Sequence, residues 1–415
     1  MNKHLKIITI IAMMFLYAMI AFVTNLAAPV GKIWEESFDG NPHSGIYGML
    51  GNFCNFLAYL IMGIPAGNFL AKRGYKKTAL VAILLGLGGI IIQWLSGVTD
   101  SFAIYLVGAL ICGFCVCMLN TVTNPMLNLL GGGGKKGNQL NLIGGTLNSL
   151  SGTLTPMLVG MLVGESLKGK EIDDVNIVLY IAMAVFALIY LIIRVTPMAE
   201  PQKATDNIVY ERSPWAFRHL TLGVIAIFFY VGVEVGVPAA LITYLHKNFG
   251  AGYDDATFIA GLYWLLMLVG RTIGSFVGGK VSSRTMVICV SIAALALMGS
   301  AMLLGDSQLV KMPTNWSFEM ECMPVAALLI VLVGLCTSIM WGSIFNMATE
   351  GLGKYTAKAS GIFMMMVVGG GIVPLAQSAF GSSLIGYIVP MIGVAYILFY
   401  ALIGSKNVNT NIKID

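Results

Sequence analysis

The chain has 415 residues, of which 57% are hydrophobic and only 10% are charged. A soluble domain carries about 25% charged residues, so this composition excludes a soluble globular enzyme and indicates an integral membrane protein. The formal net charge is +5, but in a membrane protein the placement of the charges is more informative than their sum.

Apolar runs of membrane-spanning length predict twelve transmembrane helices. A helix needs about 20 predominantly apolar residues to cross a bilayer. The first run begins after Lys6 and continues to about Pro29, which is too long for the apolar core of a secretory signal. The runs lie at about 6–29, 45–70, 78–97, 102–128, 140–164, 177–194, 219–245, 255–279, 285–305, 323–347, 356–379 and 383–404. The sequence therefore predicts an all-α membrane protein.

The longest polar stretch divides these runs into six and six. Residues 196–218 contain three prolines, which is typical of a linker. We therefore expect an N-terminal six-helix bundle at 1–195, a linker at 196–218 and a C-terminal six-helix bundle at 219–415. Two such bundles are typical of a duplicated transporter, which holds its substrate near the membrane midplane between halves that rock against each other.

The basic residues predict the orientation of the chain. If both termini lie on one side, that side receives eighteen of the 24 lysine and arginine residues, the other side receives five, and Arg271 lies within a span. Cytoplasmic loops carry the excess of basic residues. We therefore predict that both termini are cytoplasmic and that the chain is a multi-pass protein of a bacterial inner membrane.

A basic loop with glycines follows the second run. Its sequence, GNFLAKRGYKK at 67–77, is similar to the basic glycine loop of the major facilitator superfamily, although Ala71 stands where that motif has an acid. Glycines and cations recur after the eighth run, at 278–284. Ordinary cytoplasmic loops would explain the cations but not the glycines. The predicted gating-loop residues are Gly67, Lys72, Arg73, Gly74 and Lys76.

A single acidic residue is predicted to lie deep in the membrane. Of nineteen acids, thirteen fall in outer loops and five in inner ones, which leaves Glu234 in the seventh run. Arg271, one helix later, is its basic counterpart. Charges inside a membrane are costly and usually functional. Three interpretations stay open: a pair that locks two helices together, a carboxylate that takes up a proton or ligates Na+, and a direct hydrogen bond to a substrate.

The spans of the first half carry amides instead of charges. An amide offers two donor hydrogens and an acceptor, which suits ligands that bear hydroxyl groups. Asn120, Asn124 and Asn128 are spaced four residues apart and therefore share one face of the fourth helix. Such a polar face favours a cavity, and hydrogen bonds between helices are the alternative. The amides are Asn25, Asn52, Asn55, Gln93, Asn120, Asn124, Asn128, Asn141 and Asn148.

Aromatic residues within the spans would complete a sugar site, because the apolar faces of sugars stack on aromatic rings. Most aromatic residues in membranes are packing groups or interface anchors, so we select Tyr230 and Trp341 from a wider set that includes Tyr244, Tyr263 and Trp264. The predicted substrate-binding or coupling residues are Asn25, Asn55, Asn120, Asn124, Asn141, Asn148, Tyr230, Glu234, Arg271, Trp341 and Asn346.

Other motifs do not predict chemistry. Cys112, Cys115 and Cys117 lie in an apolar run without a nearby histidine, which does not favour a metal site. Residues 315–317 match the short glycosylation pattern in an outer loop, but such matches are frequent by chance. No histidine lies deep in a span beside an acid. We therefore expect no enzymatic activity, no metal site and no cofactor other than a coupling ion, H+ or Na+.

Longer stretches in both halves resemble one family. The stretches are 120–131, 138–152, 230–245, 268–276, 341–365 and 367–381. They occur in order and resemble the fucose:proton symporter family of sugar transporters, within the major facilitator superfamily. The resemblance implies a twelve-helix facilitator fold and import of a monosaccharide such as fucose, galactose or glucose. It also assigns Asn124, Asn141, Asn148, Glu234 and Arg271 to a cavity or its gates.

Two departures from that family concern ion coupling. The family pattern has a carboxylate in the first helix and another in the fourth, and we place Asn25 and Asn120 at these positions. Neither amide can titrate, so Glu234 becomes the candidate coupling residue, and H+ symport, Na+ symport and uncoupled transport stay open.

We predict a monomeric importer of a neutral monosaccharide, embedded in a lipid bilayer and without a nucleic-acid partner. Import of an acidic sugar such as sialic acid is an alternative, which depends on whether Arg271 faces the cavity. Export of a drug or lipid is another alternative, but the many amides favour a ligand rich in hydroxyl groups.

Overall fold

The structure is a computed structural model that describes residues 3–38, 44–163, 175–200, 210–406 and 412. The helices of the first half are α1 (Lys3–Ser37), α2 (Ser44–Arg73), α3 (Tyr75–Val98), α4 (Phe102–Leu130), α5 (Gly134–Val163) and α6 (Asn176–Val195). The elements of the second half are α7 (Arg218–Tyr244), α8 (Tyr253–Val277), α9 (Ser283–Leu304), β1 (Leu309–Pro313), β2 (Met320–Pro324), α10 (Val325–Thr337), α11 (Met340–Ala348), α12 (Thr356–Met365), α13 (Gly369–Ser378) and α14 (Ile388–Leu402).

These elements confirm the predicted all-α architecture of twelve helical spans. Eleven spans in the described part of the chain are long and apolar enough to cross a membrane. The remaining one, α5, is a continuous helix of 30 residues but is more polar, because it begins beside Lys135 and Lys136 and carries several amides. Its polarity follows from its position, since α5 contributes much of the cavity wall described below.

Two of the spans in the second half are each built from two helices. α10 and α11 together form Val325–Ala348, and α12 and α13 lie within Gly353–Ser378. A 3-10 turn at Met366–Val368 separates α12 from α13. The next residue is Gly369, and only glycine fits there because a side chain would collide with the backbone of Phe228 in α7. Gly369 therefore lies at a break between two helices and at a close approach to α7.

Close contacts between small residues join the two halves. α2 packs against α12, and α5 packs against α8. A Cβ atom placed on Gly67 would lie 2.9 Å from the Cα atom of Gly361, and one placed on Gly63 would lie 2.6 Å from the backbone nitrogen of Met365. Glycines at such positions let the backbones of membrane helices approach closely, so this contact holds the halves together.

A β-hairpin between α9 and α10 was not predicted from the sequence. β1 and β2 pair in antiparallel register, with Leu309 opposite Pro324 and Pro313 opposite Met320. Met312 and Met323 are 3% and 2% exposed and pack into the core of the second half. The hairpin is therefore anchored to the helices, although the sequence predicts an outer loop here.

The segment between the two halves lies where the sequence places a linker. α6 ends at Val195 and α7 begins at Arg218, but residues 201–209 lie outside the described residues. The predicted orientation also rests partly on Lys168, Lys170, Lys203 and Lys413, which lie outside them too. The domain boundaries and the cytoplasmic location of the termini therefore stay predictions.

Candidate functional site

A cavity of about 1040 Å³ lies between the two halves. Its mouth carries Phe258 near the start of α8 and Trp316 from the hairpin, and its deep end carries Leu142 of α5 and Trp341 of α11. The first half contributes α1, α2, α4 and α5 to the wall, and the second half contributes mainly α7, α8 and α11. The cavity thus opens at the end of the bundle opposite the basic α2–α3 loop.

Glu234 and Arg271 form an ion pair on the wall of this cavity. Arg271 Nη2 lies 3.1 Å from Glu234 Oε1, and the two side chains are 11% and 15% exposed, respectively. Pairing offsets part of the desolvation cost of each charge, and removing one partner would leave the other uncompensated. The predicted locking pair is therefore present, and both of its members also line the cavity.

Arg271 also connects the second half to the first. Its Nη1 donates to Ser149 Oγ at 2.6 Å and to the carbonyl oxygen of Gly145 at 3.3 Å, both on α5. Its Nε donates to the carbonyl oxygen of Ser338 at 3.3 Å. Arginine carries five donor hydrogens, and four of them are engaged when the bond to Glu234 is included. These four bonds fix the guanidinium group at the interface between the halves.

Tyr17 connects several helices at the deep end of the cavity. Its hydroxyl donates to Asn124 Oδ1 at 2.5 Å and lies 3.3 Å from Asn141 Oδ1. Trp341 Nε1, from the second half, donates to the same Asn124 oxygen at 3.0 Å. Asn124 therefore accepts hydrogen bonds from both halves, and this is the second link between them at the cavity.

Asn120 lies one helical turn before Asn124 and faces the cavity. Its Nδ2 donates to the Tyr59 hydroxyl at 2.7 Å. Asn124 Nδ2 donates to the backbone carbonyl of Asn120 at 2.9 Å and lies 3.2 Å from its Oδ1. Asn120 lines the cavity, whereas Asn124 is fully buried behind it. The two amides therefore differ: Asn120 lines the cavity, and Asn124 holds the wall in place from behind.

Four more of the amides selected as substrate-binding residues line the cavity. Asn148 Nδ2 donates to the carbonyl oxygen of Tyr17 at 2.9 Å, and Asn25 Nδ2 donates to that of Ala21 at 2.8 Å. Asn141 Nδ2 is buried without a hydrogen-bond partner among the described residues. A buried donor of this kind calls for a partner, and a hydroxyl group in the cavity would supply one. The four amides are Asn25, Asn55, Asn141 and Asn148.

The remaining predicted binding residues do not line the cavity. Tyr230 is fully buried, and its ring centroid lies 6.2 Å from that of Trp341. It therefore supports the tryptophan from behind. Asn346 lies toward the closed end, where its Nδ2 donates to Ser283 Oγ at 2.8 Å within the second half. The structure thus gives both residues packing or supporting positions.

The residues of the predicted gating loop lie at the closed end. Gly67 is inside α2 at the contact with Gly361, and Lys72 and Arg73 are exposed in the last turn of that helix. Gly74 has a φ angle of +80°, which L side chains rarely adopt. The glycine is therefore required by the sharp connection between α2 and α3.

An acid from outside the loop binds the start of α3. Glu200 accepts hydrogen bonds from the backbone N–H groups of Tyr75 and Lys76 at 2.9 and 3.0 Å. The Lys76 ammonium group donates to the carbonyl oxygens of Arg194 and Thr196 at 2.9 and 2.8 Å. A carboxylate is favourable at a helix N-terminus. Glu200 thus supplies a negative charge beside a loop that lacks its own acid.

Hydrogen bonds between the halves close the end of the cavity. Gln139 Nε2 donates to the carbonyl oxygen of Ser275 at 3.0 Å. Asn128 Nδ2 donates to Thr349 Oγ1 at 3.3 Å, so this amide of the predicted polar face belongs to the closure and not to the cavity. Leu142 packs with Met286 and Ile339 in a small apolar cluster nearby.

Sequence reasoning missed several residues of the cavity. Tyr17 and Tyr59 resemble packing aromatics when only the sequence is considered, but their hydroxyl groups organise the amides. Tyr17 lies two helical turns before Asn25 and so shares its face of α1, which is a signal that could have identified it. Ser149, next to Asn148, and Trp316, within the discounted glycosylation pattern, were missed as well.

The chain is similar to known proteins over most of its length. The model of the Major Facilitator Superfamily matches residues 10–374. The chain belongs to the Major Facilitator Superfamily. The solved structure of the Escherichia coli fucose:proton symporter matches this facilitator with a TM-score of 0.81 at 20% identity, covering 98% of this chain and 100% of that chain. A fucose symporter structure in the outward conformation gives a TM-score of 0.78, also at 20% identity, covering 96% and 99% of the two chains. These likenesses confirm the predicted fold.

Relatives of this facilitator are sugar transporters by name. The glucose/galactose transporter of Brucella abortus is 30% identical over 371 residues, covering 86% of this chain and 85% of that protein. The putative glucose/galactose transporter of Helicobacter pylori is 28% identical over 372 residues, covering 85% and 87%. The L-fucose-proton symporter of Escherichia coli is 22% identical over 388 residues, covering 85% and 83%. The resemblance inferred from the sequence motifs is thereby confirmed.

Proposed function

We propose that this facilitator is a secondary transporter that imports a neutral hexose by alternating access. The observation that carries the proposal is the cavity between the halves, whose wall combines amides, hydroxyl groups and aromatic rings. Amides donate to and accept from sugar hydroxyls, and Trp341 offers a ring at the deep end. The relatives named glucose/galactose transporter support a hexose as the substrate.

The described state is the outward-open one in this proposal. The closed end carries the basic α2–α3 loop, and basic loops face the cytoplasm. The mouth therefore faces outward, where a sugar enters and descends to the amides. Rocking of the halves would then break the bonds at the closed end and open it to the cytoplasm.

The two walls make different contacts with the sugar. Asn120 and Asn148 of the first half offer amide groups, and Trp341 of the second half offers its ring and lies across from them. A ligand that contacts both walls has a higher affinity for a state in which the halves are close together than for the open state. This difference in affinity drives closure. Because one chain supplies both walls, we propose that the monomer is the working unit.

We infer that Glu234 is the residue through which an ion gradient acts. A proton on its carboxylate would remove the charge that holds Arg271, whereas Na+ would compete with Arg271 for the carboxylate oxygens. Either event would loosen the bonds between Arg271 and α5. Because Asn25 and Asn120 cannot titrate, the proposal assigns coupling to this pair alone.

The position of Arg271 also bears on the acidic-sugar alternative. Its guanidinium group lines the cavity, as that alternative requires, but its charge is already balanced by Glu234 and four of its donors are engaged. A carboxylate on the substrate would have to displace Glu234. A neutral sugar avoids this exchange and is therefore favoured.

Uptake into proteoliposomes tests the proposal. The purified chain would be supplied with labelled glucose, galactose, fucose or sialic acid under an imposed pH gradient, an imposed Na+ gradient or neither. We expect uptake of glucose or galactose, and accumulation under one gradient would identify the ion. Uptake of sialic acid alone would overturn the neutral substrate, and no uptake of any sugar would overturn the function.

A further inference from the structure

The mouth of the cavity presents an exposed tryptophan on a fixed support. Trp316, at the tip of the β-hairpin, is 72% exposed and still lines the cavity. Its ring packs at 87° against that of Phe258 on α8, with the centroids 5.2 Å apart. Tryptophan has a large apolar face, and together with Phe258 it gives the mouth of the cavity an aromatic surface.

The turn that carries Trp316 is held by the side chain of Asn315. Asn315 Oδ1 accepts hydrogen bonds from the backbone N–H groups of Ser317 and Glu319 at 3.0 and 3.2 Å, and its Nδ2 donates to Glu319 Oε2 at 2.6 Å. The N–H of Thr314 donates to the Glu319 carbonyl oxygen at 2.9 Å. The tip is therefore ordered before any ligand arrives, and its tryptophan is held in place over the mouth.

Polar groups of α8 lie beside this aromatic pair. Asp254 and Thr257 line the cavity next to Phe258, and Gly261 continues the same helix face with open space where a side chain would point. A carboxylate and a hydroxyl next to an exposed ring combine hydrogen bonding with an apolar surface. This combination suits the two kinds of surface that a pyranose presents.

The mouth is too far from the deep end to serve the same sugar molecule. Thirteen residues of helix separate Phe258 from Arg271, which amounts to about 20 Å at roughly 1.5 Å per residue. The cavity, at about 1040 Å³, is at or just above the upper limit of the roughly 300–1,000 Å³ of typical small-molecule sites. A monosaccharide at the amides therefore leaves the mouth free.

We propose that Trp316, Phe258, Thr257 and Asp254 form an entry site that captures a hexose before it reaches the central amides. The sugar stacks an apolar face on the Trp316 ring and hydrogen-bonds to Thr257 and Asp254. The site raises the sugar concentration at the mouth and so increases the uptake rate when the sugar is scarce. This inference rests on the proposed function, because it requires a hexose as the substrate.

A lipid anchor is the competing explanation of an exposed tryptophan, since tryptophan is enriched at membrane interfaces. The neighbouring Phe318 allows the two to be separated. It lies on the same turn and is 70% exposed, but it does not line the cavity. Phe318→Ala is therefore a matched control that removes a similar aromatic surface from the tip without touching the entry site.

The test measures the initial uptake of labelled glucose and galactose by proteoliposomes over a range of sugar concentrations. Because an apolar sugar face that covers part of the Trp316 ring is removed from water, Trp316→Ala is expected to lower kcat/KM about three- to tenfold, with the maximal rate unchanged. Trp316→Phe keeps a ring and is expected to restore most of the loss. Phe318→Ala is expected to behave like the wild type.

Each other outcome has a definite meaning. Equal kcat/KM values for Trp316→Ala and the wild type would overturn the entry site while leaving the proposed function intact. An equal loss in Trp316→Ala and Phe318→Ala would assign the tip to lipid contact or folding, which also overturns it. A wild type that transports no hexose would overturn the proposed function, and the entry site with it.

Discussion

The two walls of the cavity place polar groups inside the membrane in different ways. The wall from the first half is polar but neutral, because Asn25, Asn120 and Asn148 carry amides, and the Tyr59 hydroxyl accepts a hydrogen bond from Asn120. The wall from the second half holds full charges, Glu234 and Arg271, and cancels them against each other. Most polar groups of both walls are paired, which lowers the cost of placing them inside the membrane, but in the proposed mechanism only the second wall responds to an ion.

This difference separates recognition from coupling. Neutral amides keep the same hydrogen-bonding capacity at every pH, so the first wall can bind a sugar independently of the ion gradient. In the proposed mechanism, the ion pair changes when a proton or Na+ reaches Glu234, and Arg271 carries that change to α5 through Ser149. We therefore propose that the second wall makes the position of the halves sensitive to the ion.

The largest expected effect comes from removing Arg271. Arg271→Gln leaves Glu234 without a countercharge and removes the bonds to Ser149 and Gly145. Breaking a buried pair in this way costs about 3–5 kcal/mol, so we expect a lower melting temperature in detergent and no measurable uptake. The double variant Arg271→Gln with Glu234→Gln removes both charges, and we expect it to recover the melting temperature but not ion-driven accumulation.

The melting temperatures of these two variants decide the role of the pair. If the double variant is as unstable as Arg271→Gln, the loss comes from the bonds to α5 and not from an uncompensated charge. In that case the comparison between a neutral and a charged wall would lose its physical basis.

The next effect concerns Glu234 alone. Glu234→Gln keeps the shape of the side chain and a hydrogen-bond acceptor for Arg271, but it cannot bind a proton or attract Na+. We expect ion-driven accumulation to be abolished while exchange of labelled for unlabelled sugar continues. Counterflow in proteoliposomes without a gradient measures the exchange. Accumulation at the wild-type level would exclude Glu234 as the coupling residue.

A smaller effect is expected at the neutral wall. Asn120→Ala removes one amide that lines the cavity, and a net hydrogen bond is worth about 0.5–1.5 kcal/mol. The affinity for the sugar should therefore fall about two- to tenfold, as measured by titration calorimetry. Asn346→Ala is the matched control, since this amide bonds to Ser283 away from the cavity. An equal loss of sugar affinity in the two variants would show that Asn120 is a packing residue and does not bind the sugar.

The contrast between Asn120 and Asn346 also shows which parts of the site can be predicted from the sequence. Glu234 and Arg271 were identified by counting, because charges are rare inside a membrane and each one demands an explanation. Amides are less costly to bury, so their presence in a span does not reveal which way they face. Asn120 points into the cavity and Asn346 does not, and this depends on the rotation of α4 and of the short helix α11, which only packing determines.

The twelve spans were predictable for a similar reason, and the hairpin was not. A span must be predominantly apolar over about 20 residues, which leaves a clear signal in the sequence. The hairpin is held by two buried methionines and by the side-chain hydrogen bonds of Asn315, and neither leaves a periodic pattern. Trp316 therefore looked like part of a loop, although the fold brings it to the cavity.

The smallest expected effect tests the closed end, where the two walls meet. Gln139→Ala removes the hydrogen bond from α5 to the carbonyl oxygen of Ser275 on α8. Because one hydrogen bond is lost, the ratio of inward- to outward-open forms should rise about two- to tenfold.

A cysteine introduced by Gly261→Cys reports the outward-open form, because its side chain would point into open space on the cavity wall. With the exposed Cys289 and Cys322 replaced by serine, we expect a membrane-impermeant thiol reagent applied at the mouth to label Gly261→Cys more slowly in Gln139→Ala. Asn346→Ala breaks a bond within one half and should leave the labelling rate unchanged. If both variants label at the wild-type rate, the outward-open form is held by the glycine contact between α2 and α12 and not by the polar bonds at its closed end.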